Sequence, residues 1–251
     1  MLARLLARGY PVPLGVVLSA APSSPAPLDD VAAIAETLRV LELAPPWVVR
    51  SSSSAEDGAA AAFPGIFHTE LGVRDTTELA SAISRVRESL DGSEVKSYAA
   101  ARGVARAGIR MGVLIQSQLH PRVAGVAFTR NPLTGADQVG IEANYGLGET
   151  VVDGSVTPDY FAITRDRAIT IRRIGSKREK VIPGPNGLER VPVPAAARAQ
   201  SALSEADAIR VAQLAWALEA DLNAPQDVEW ALVDDTLFLL QTRPITTGGM
   251  T

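Results

Sequence analysis

The stretch DVEWALVDDTLFLLQTRPIT, from Asp227 to Thr246, decides how the rest of the chain is read. Two apolar runs flank Asp234-Asp235, the pattern of a β-hairpin closed by an acidic turn. Taking alternate residues puts Trp230 and Leu232 with Phe238 and Leu240 on an apolar face, and Glu229 with Gln241 and Arg243 on the other. The register then matters. A two-residue loop pairs Glu229 with Leu240 and sends Glu229 and Gln241 to opposite faces, because a one-residue slip flips every side chain. An odd loop, Asp234-Asp235-Thr236, sets Glu229 directly opposite Gln241. The odd loop is the expectation, since it gathers a carboxylate, an amide oxygen and a guanidinium on one surface. Oxygen donors suit Mg2+, and an arginine fork suits a phosphate. The plainer alternative is a half-buried hairpin whose polar face is merely wet.

Composition sets the bounds around this hairpin. The 251 residues suffice for one large domain or two lobes. With 47% apolar and only 5% aromatic residues, the core must be aliphatic and rich in alanine. A net charge of −4 argues against nucleic acid or an acidic membrane as partner. The basic run IRRIGSKREK, from Ile171 to Lys180, reads as a solvated strand edge. The absence of cysteine excludes disulfides, thiolate metal sites and cysteine nucleophiles. His68 and His120 are the two histidines, too few for a multi-histidine metal site, and each reads as a structural or surface residue. No apolar stretch approaches a membrane span and no signal peptide is visible, so a soluble, cytoplasmic protein is expected.

Along the chain, Leu2 to Gly9 reads as the end of a short helix with Gly9 at its C-terminus. Pro11 and Pro13 force an extended run into Val16–Leu18. APSSPAP is a loop, and LDDVAAIAETLRVLEL is a helix capped around Asp29 or Asp30. Trp47 to Arg50 looks like a buried strand, Thr76 or Thr77 caps a helix to about Leu90, and a second helix spans Ser93 to Ala107. MGVLIQSQL, VAGVAFTR and QVGIEANY are strands, VTPDYFAITRDRAITIRRI is a hairpin, and IPGPNG is a loop. Ser204 caps the helix EADAIRVAQLAWALEADL. Strands interleaved with helices imply a mixed α/β fold.

Four further stretches carry chemistry. VVRSSSSAED places Arg50 at the end of an apolar strand, where ligand-facing groups collect, although a serine loop with a surface arginine fits as well. In FPGIFHTEL, Gly65 lets backbone approach a phosphate closely, but the stretch is no Walker A loop and a plain turn is the alternative. Gln116 and Gln118 share a strand face, with backbone groups nearby that suit an adenine edge; an edge strand with two wet glutamines is the alternative. IEANYGLGETVVDG puts Glu142 at a strand end and glycines at 146 and 148, where a turn can pass close to a ligand.

In this order, VVRSSSSAED, AFPGIFHTEL, AGVAFTRNPLTG, IEANYGLGETVVDGSVTPDYF and the terminal hairpin resemble the nucleotide-binding domain of the phosphoenolpyruvate synthase, pyruvate phosphate dikinase and rifampin phosphotransferase family. The resemblance implies an ATP-grasp fold, mixed α/β, with two lobes clamping ATP: an N-terminal lobe over residues 1–110 and a C-terminal lobe over 111–251. It implies that ATP pyrophosphorylates a histidine on a mobile carrier domain and releases AMP. Arg50 and Arg243 are similar to the family's phosphate arginines. Gly65, Ile66, Phe67, His68 and Thr69 match the loop over the phosphates, Gln116, Ser117, Gln118 and Leu119 the adenine hinge, and Glu229 and Gln241 the Mg2+ ligands.

Departures from the family pattern shape the expectation. The family carries a Gly-Gly-Lys segment just ahead of the helix matched by LARLLARG, a longer helical insertion between Ala21 and Trp47, and a carrier domain with a Thr-Ser-His type motif; none is found in this sequence. His68 stands where the family usually has an acidic residue. The resemblance therefore implies an ATP- and Mg2+-binding subunit that works with a separate histidine phosphocarrier protein, with a non-catalytic nucleotide-binding module as the alternative.

Overall fold

The structure is a computed structural model that describes residues 1–19, 30–53, 68–89, 92, 111–131, 135–184 and 187–245. In chain order the first elements are α1 (Leu2–Ala7), β1 (Gly15–Leu18), α2 (Val31–Val40), β2 (Trp47–Ser53), β3 (Thr69–Val73), α3 (Thr76–Glu88) and β4 (Met111–Ser117). There follow β5 (Val123–Phe128), β6 (Val139–Tyr145), α4 (Glu149–Val152), β7 (Asp159–Ile163), β8 (Ile169–Arg173), β9 (Glu179–Gly184) and β10 (Gly187–Pro192). The last are α5 (Ala195–Arg198), α6 (Glu205–Leu222), β11 (Gln226–Val233) and β12 (Thr236–Pro244). The expected helix over 93–107, the APSSPAP loop and the expected phosphate loop at Gly65, Ile66 and Phe67 lie outside the described residues.

The chain divides into two compact units. One is Pro13–Gln118 with Gly184–Gly187, here the four-stranded unit. Its sheet runs β1-β4-β2-β3 with antiparallel neighbours. Alternate residues of these strands, among them Val16, Val49, Val113 and Ile115, pack against Ile34 and Leu38 of α2 and Leu79, Ile83 and Val86 of α3. The 3.6-residue spacing of those helix positions is what makes one face apolar. Asp30 caps α2, its carboxylate accepting from Ala33 N at 3.0 Å. The cap of α3 is Asp75, which accepts from Thr77 N and Glu78 N at 2.9 and 2.8 Å, one residue before the threonines expected there. A carboxylate meets both bare amides and the positive end of the helix. α2 ends at Val40, earlier than expected, and Glu42 turns to φ 56° beyond it.

The other unit, Met1–Val12, Leu119–Pro183 and Leu188–Thr251, holds the terminal hairpin. Its six-stranded sheet runs β12-β11-β5-β6-β7-β8, again antiparallel throughout. One face of it packs against α6, where Val211, Ala212, Ala215 and Leu218 meet Ala127, Ile141, Phe161 and the fully buried Trp230. Ser204 Oγ accepts from Asp207 N at 3.1 Å and starts α6 where the sequence placed it. α1 joins this unit because Leu5 is buried in its core and Pro11 O accepts from Leu239 N at 2.9 Å.

The two units cut the chain elsewhere than the expected division at 110/111. β4 lies between β1 and β2, so its hydrogen bonds tie it to the four-stranded unit. IPGPNG is shorter as a loop than expected, since β9 runs to Gly184 and β10 starts at Gly187 to form a small second sheet. The basic run is only partly a solvated edge. β8 is the edge strand, but Lys177 is fully buried, its Nζ bonded to Asp159 Oδ1 and to the carbonyls of Gly175 and Arg198. No helix among the described residues is long and apolar enough to cross a membrane.

Candidate functional site

Glu229 on β11 is the direct partner of Gln241 on β12. The turn is nevertheless the two-residue one, with Val233 paired to Thr236 around Asp234-Asp235. A bulge between Glu229 and Trp230 reconciles the two facts: Trp230 pairs with Leu239, Glu229 with Gln241, and Leu240 is the extra residue. The expected odd loop is therefore corrected to an even turn followed by a bulge. The expected apolar partners Phe238 and Leu240 are corrected as well. Trp230 and Leu232 pair with Leu239 and Leu237, and all four are buried in the core.

Register across the sheet extends the polar face. Gln241, Glu229, Val126, Glu142, Tyr160 and Arg173 are successive cross-strand partners from β12 to β8. Arg243, Asp227, Phe128, Gly140, Ala162 and Ile171 form the next row. Directly opposed residues point to the same side, and the core residues take the alternate positions, so both rows lie on the face away from α6.

Within this face Asp227 and Arg243 form a pair. Arg243 Nε and Nη2 reach Asp227 Oδ2 at 2.7 and 2.6 Å. Both bonds fall on one oxygen. Asp227 Oδ1 is buried without a hydrogen-bond partner. Burial pushes the Asp227 carboxyl above its usual range, and Arg243 pulls it back in part. Burial likewise raises Glu142, with Arg173 opposing. A bare buried carboxylate oxygen beside an acid–amide pair is a donor set for a hard cation. No group of three His, Cys, Asp or Glu side chains among the described residues encloses a metal. Mg2+ fits that arrangement, because it is held by one or two carboxylates and completes its shell with phosphate oxygens and water. Asp227 was missed in the sequence reading. The signal was the D-x-E spacing of DVEW, which on a strand puts both acids on one face.

In the four-stranded unit, Val17, Leu114, Arg50 and Thr69 are successive partners across β1, β4, β2 and β3. Arg50 and Thr69 thus share the face turned from α2 and α3, and Gln116, two residues along β4 from Leu114, lies on it too. β4 is an inner strand and both glutamines are buried, so the edge-strand alternative with wet glutamines is overturned. Gln116 Nε2 donates to Pro13 O at 2.6 Å, and Ser117 Oγ donates to Ala44 O at 2.9 Å. The Gln118 amide N donates to Pro46 O at 2.8 Å, its Oε1 accepts from Gly72 N at 2.5 Å, and its Nε2 is buried without a partner. Leu119 follows, half-buried. His68 is exposed and its Nε2 lies 2.5 Å from Glu70 Oε1, the oxygen that also accepts from Arg85 Nε at 2.6 Å. It is a surface residue tied to Glu70 of the adjoining β3.

Two turns finish the polar face of the hairpin unit. Gly146 has φ +73° and lies against β9, where a Cβ would stand 2.2 Å from Val181 O, so only glycine fits. Asn144 Nδ2 donates to Thr150 Oγ1 and Glu179 O at 2.8 and 2.9 Å, fastening α4 and β9 to β6.

The fold and this face define a mixed α/β protein whose largest sheet presents oxygen donors suited to a metal-bound phosphate. The chain belongs to the pyruvate phosphate dikinase, AMP/ATP-binding domain family, whose model matches residues 17–251. It is 37% identical over 205 residues to a rifampicin phosphotransferase of Streptomyces sviceus, covering 80% of this chain and 23% of that one. It is 32% identical over 202 residues to a probable phosphoenolpyruvate synthase of Methanothermobacter thermautotrophicus, covering 80% and 30%. The prodigiosin synthesizing transferase PigC of Serratia marcescens is 35% identical over 235 residues, covering 92% and 26%. The chain thus spans between 23% and 30% of the length of these relatives.

Proposed function

We propose that this chain is the ATP- and Mg2+-binding part of a dikinase-type phosphotransferase of the phosphoenolpyruvate synthase kind. It works on a histidine carried by a separate domain and releases AMP. The observation that carries the reading is the pairing of Glu229 with Gln241 on the sheet face away from α6 in a chain of this family. Glu229 and Gln241 would hold Mg2+, and Asp227, with its bare Oδ1, would complete the protein's share of the ligands. When bound, Mg2+ neutralises charge on the phosphate oxygens. Arg243, braced by Asp227, presents a fixed guanidinium to the phosphates. In the reaction a bond forms between the carrier imidazole nitrogen and the β-phosphorus. The bond from that phosphorus to the bridging oxygen breaks, and AMP leaves with the electron pair. The chain's residues supply alignment and charge, which is most of what phosphoryl transfer asks of a protein.

The test is AMP formation from ATP by this chain together with histidine-domain proteins of the same family. AMP that depends on both proteins is the expected result. Saturable ATP binding without AMP under any pairing would leave a nucleotide-binding module and remove the dikinase reading.

A further inference from the structure

Arg173 differs from the other arginines around the polar face of the hairpin unit. Arg243 is neutralised by Asp227. Arg172, turned to the opposite side of β8, is bonded to Glu205 at 3.1 Å. Arg173 is held by a ring instead: its guanidinium carbon lies 4.8 Å from the centroid of Tyr160. Among the described residues it forms no ion pair, so its N–H donors stay available to a ligand.

Its seat depends on a glycine. A Cβ at Gly140 would come within 3.1 Å of Tyr160 Oη and 3.4 Å of Tyr160 Cε2. With no side chain at 140, the ring lies down over the neighbouring strand and offers its outer face to the guanidinium. The row then has two ends. Glu229 and Gln241 stand at one, Tyr160 with Arg173 at the other, and Glu142 between them. Tyr160 is three strands from Glu229, about 14 Å at ordinary strand spacing. That span accommodates a ligand longer than a single phosphate.

We propose that Arg173, seated on Tyr160 over Gly140, binds a phosphate of the nucleotide whose metal is held by Glu229 and Gln241, with Tyr160 as its positioning residue. The assignment rests on the nucleotide-binding reading above. It adds to the face a guanidinium that forms no ion pair among the described residues, although it shares the row with Glu142 and acts on that carboxyl; such a donor suits a polyanionic ligand.

Calorimetric titration of the full chain with MgATP, MgADP and adenosine tests this on wild type, Arg173→Ala, Arg173→Lys, Tyr160→Leu and Gly140→Ala. Arg173→Ala is expected to weaken ATP and ADP by roughly tenfold to a hundredfold while leaving adenosine unchanged. Arg173→Lys keeps the charge and recovers part of the loss. Tyr160→Leu and Gly140→Ala, which remove or tilt the seat, weaken ATP by less and also spare adenosine, a split that a merely structural role would not produce. Unchanged ATP affinity in Arg173→Ala, or an equal loss for adenosine, overturns the assignment and leaves the function standing. A wild-type chain that binds no nucleotide brings down the functional reading and this assignment with it.

Discussion

Glu229 faces Gln241 across the terminal hairpin because Leu240 is an extra residue in β12. Between Leu240 and the turn, the strands keep the register of a two-residue loop. Beyond Leu240 they keep a register shifted by one. The bulge therefore returns Gln241 to the face of Glu229 while Leu237 and Leu239 stay in the core. Polar and apolar demands on one strand are met by a single insertion.

If that opposed pair holds Mg2+, Glu229→Ala and Gln241→Ala each weaken MgATP by about tenfold or more, and affect metal-free ATP far less. Gln241→Glu keeps an oxygen donor and retains more of the affinity. Titrations with and without EDTA read the difference. Mutants that bind MgATP as wild type does would remove these residues from the metal site.

The turn carries its own prediction. Asp234 has φ 49°, a left-handed conformation that suits glycine and penalises branched side chains. Asp234→Gly is expected to leave urea stability unchanged or slightly raised, and Asp234→Val to lower it by about 1–2 kcal/mol. Equal stability of the two variants would contradict the turn geometry.

Lys177 and Asp159 form a fully buried ion pair, with Asp159 also accepting from Gly175 N at 2.8 Å and Ala202 N at 2.6 Å. Lys177→Met leaves that carboxylate buried beside an apolar chain and is expected to cost about 3–5 kcal/mol in denaturant unfolding. Adding Asp159→Asn removes the stranded charge and recovers part of the loss. A single mutant as stable as wild type would show the pair to be dispensable.

Acid should loosen the four-stranded unit through Glu70. The Arg85 guanidinium, with His68 adding to it, holds the Glu70 carboxyl below its usual value against the opposing effect of burial. A depressed folded-state value means stabilisation that is present above the ordinary range, about pH 4.3, and lost as pH falls through the lower folded value. Melting temperatures from pH 7 to pH 3 should therefore fall less steeply in Glu70→Gln than in wild type. Parallel curves would show that Glu70 contributes nothing to the acid limb.

Local pattern in the sequence was enough for much of this. The acidic turn, the Ser204 cap, the strands around β5 and β6 and the apolar faces of α2 and α3 each follow from spacings within a few residues. Ordered motifs sufficed for the family, and the register of Glu229 against Gln241 was argued from the chemistry the two share. What escaped was set by distant neighbours. The bulge at Leu240 cannot be read from one strand, because its partner defines it. Lys177 sits in a run of exposed cations, and only Asp159, eighteen residues away in sequence, makes its burial tolerable.

The same division holds for the candidate site. Residue types and their alternation along each strand choose which groups share a side, since side chains alternate whatever the partner is. The alignment of six strands chooses which of them meet: Asp227 with Arg243, Glu142 with Tyr160, and Tyr160 with Arg173. Strand order and register arise from packing the whole sheet on α6, a long-range sum of burial and hydrogen bonding that no short stretch contains.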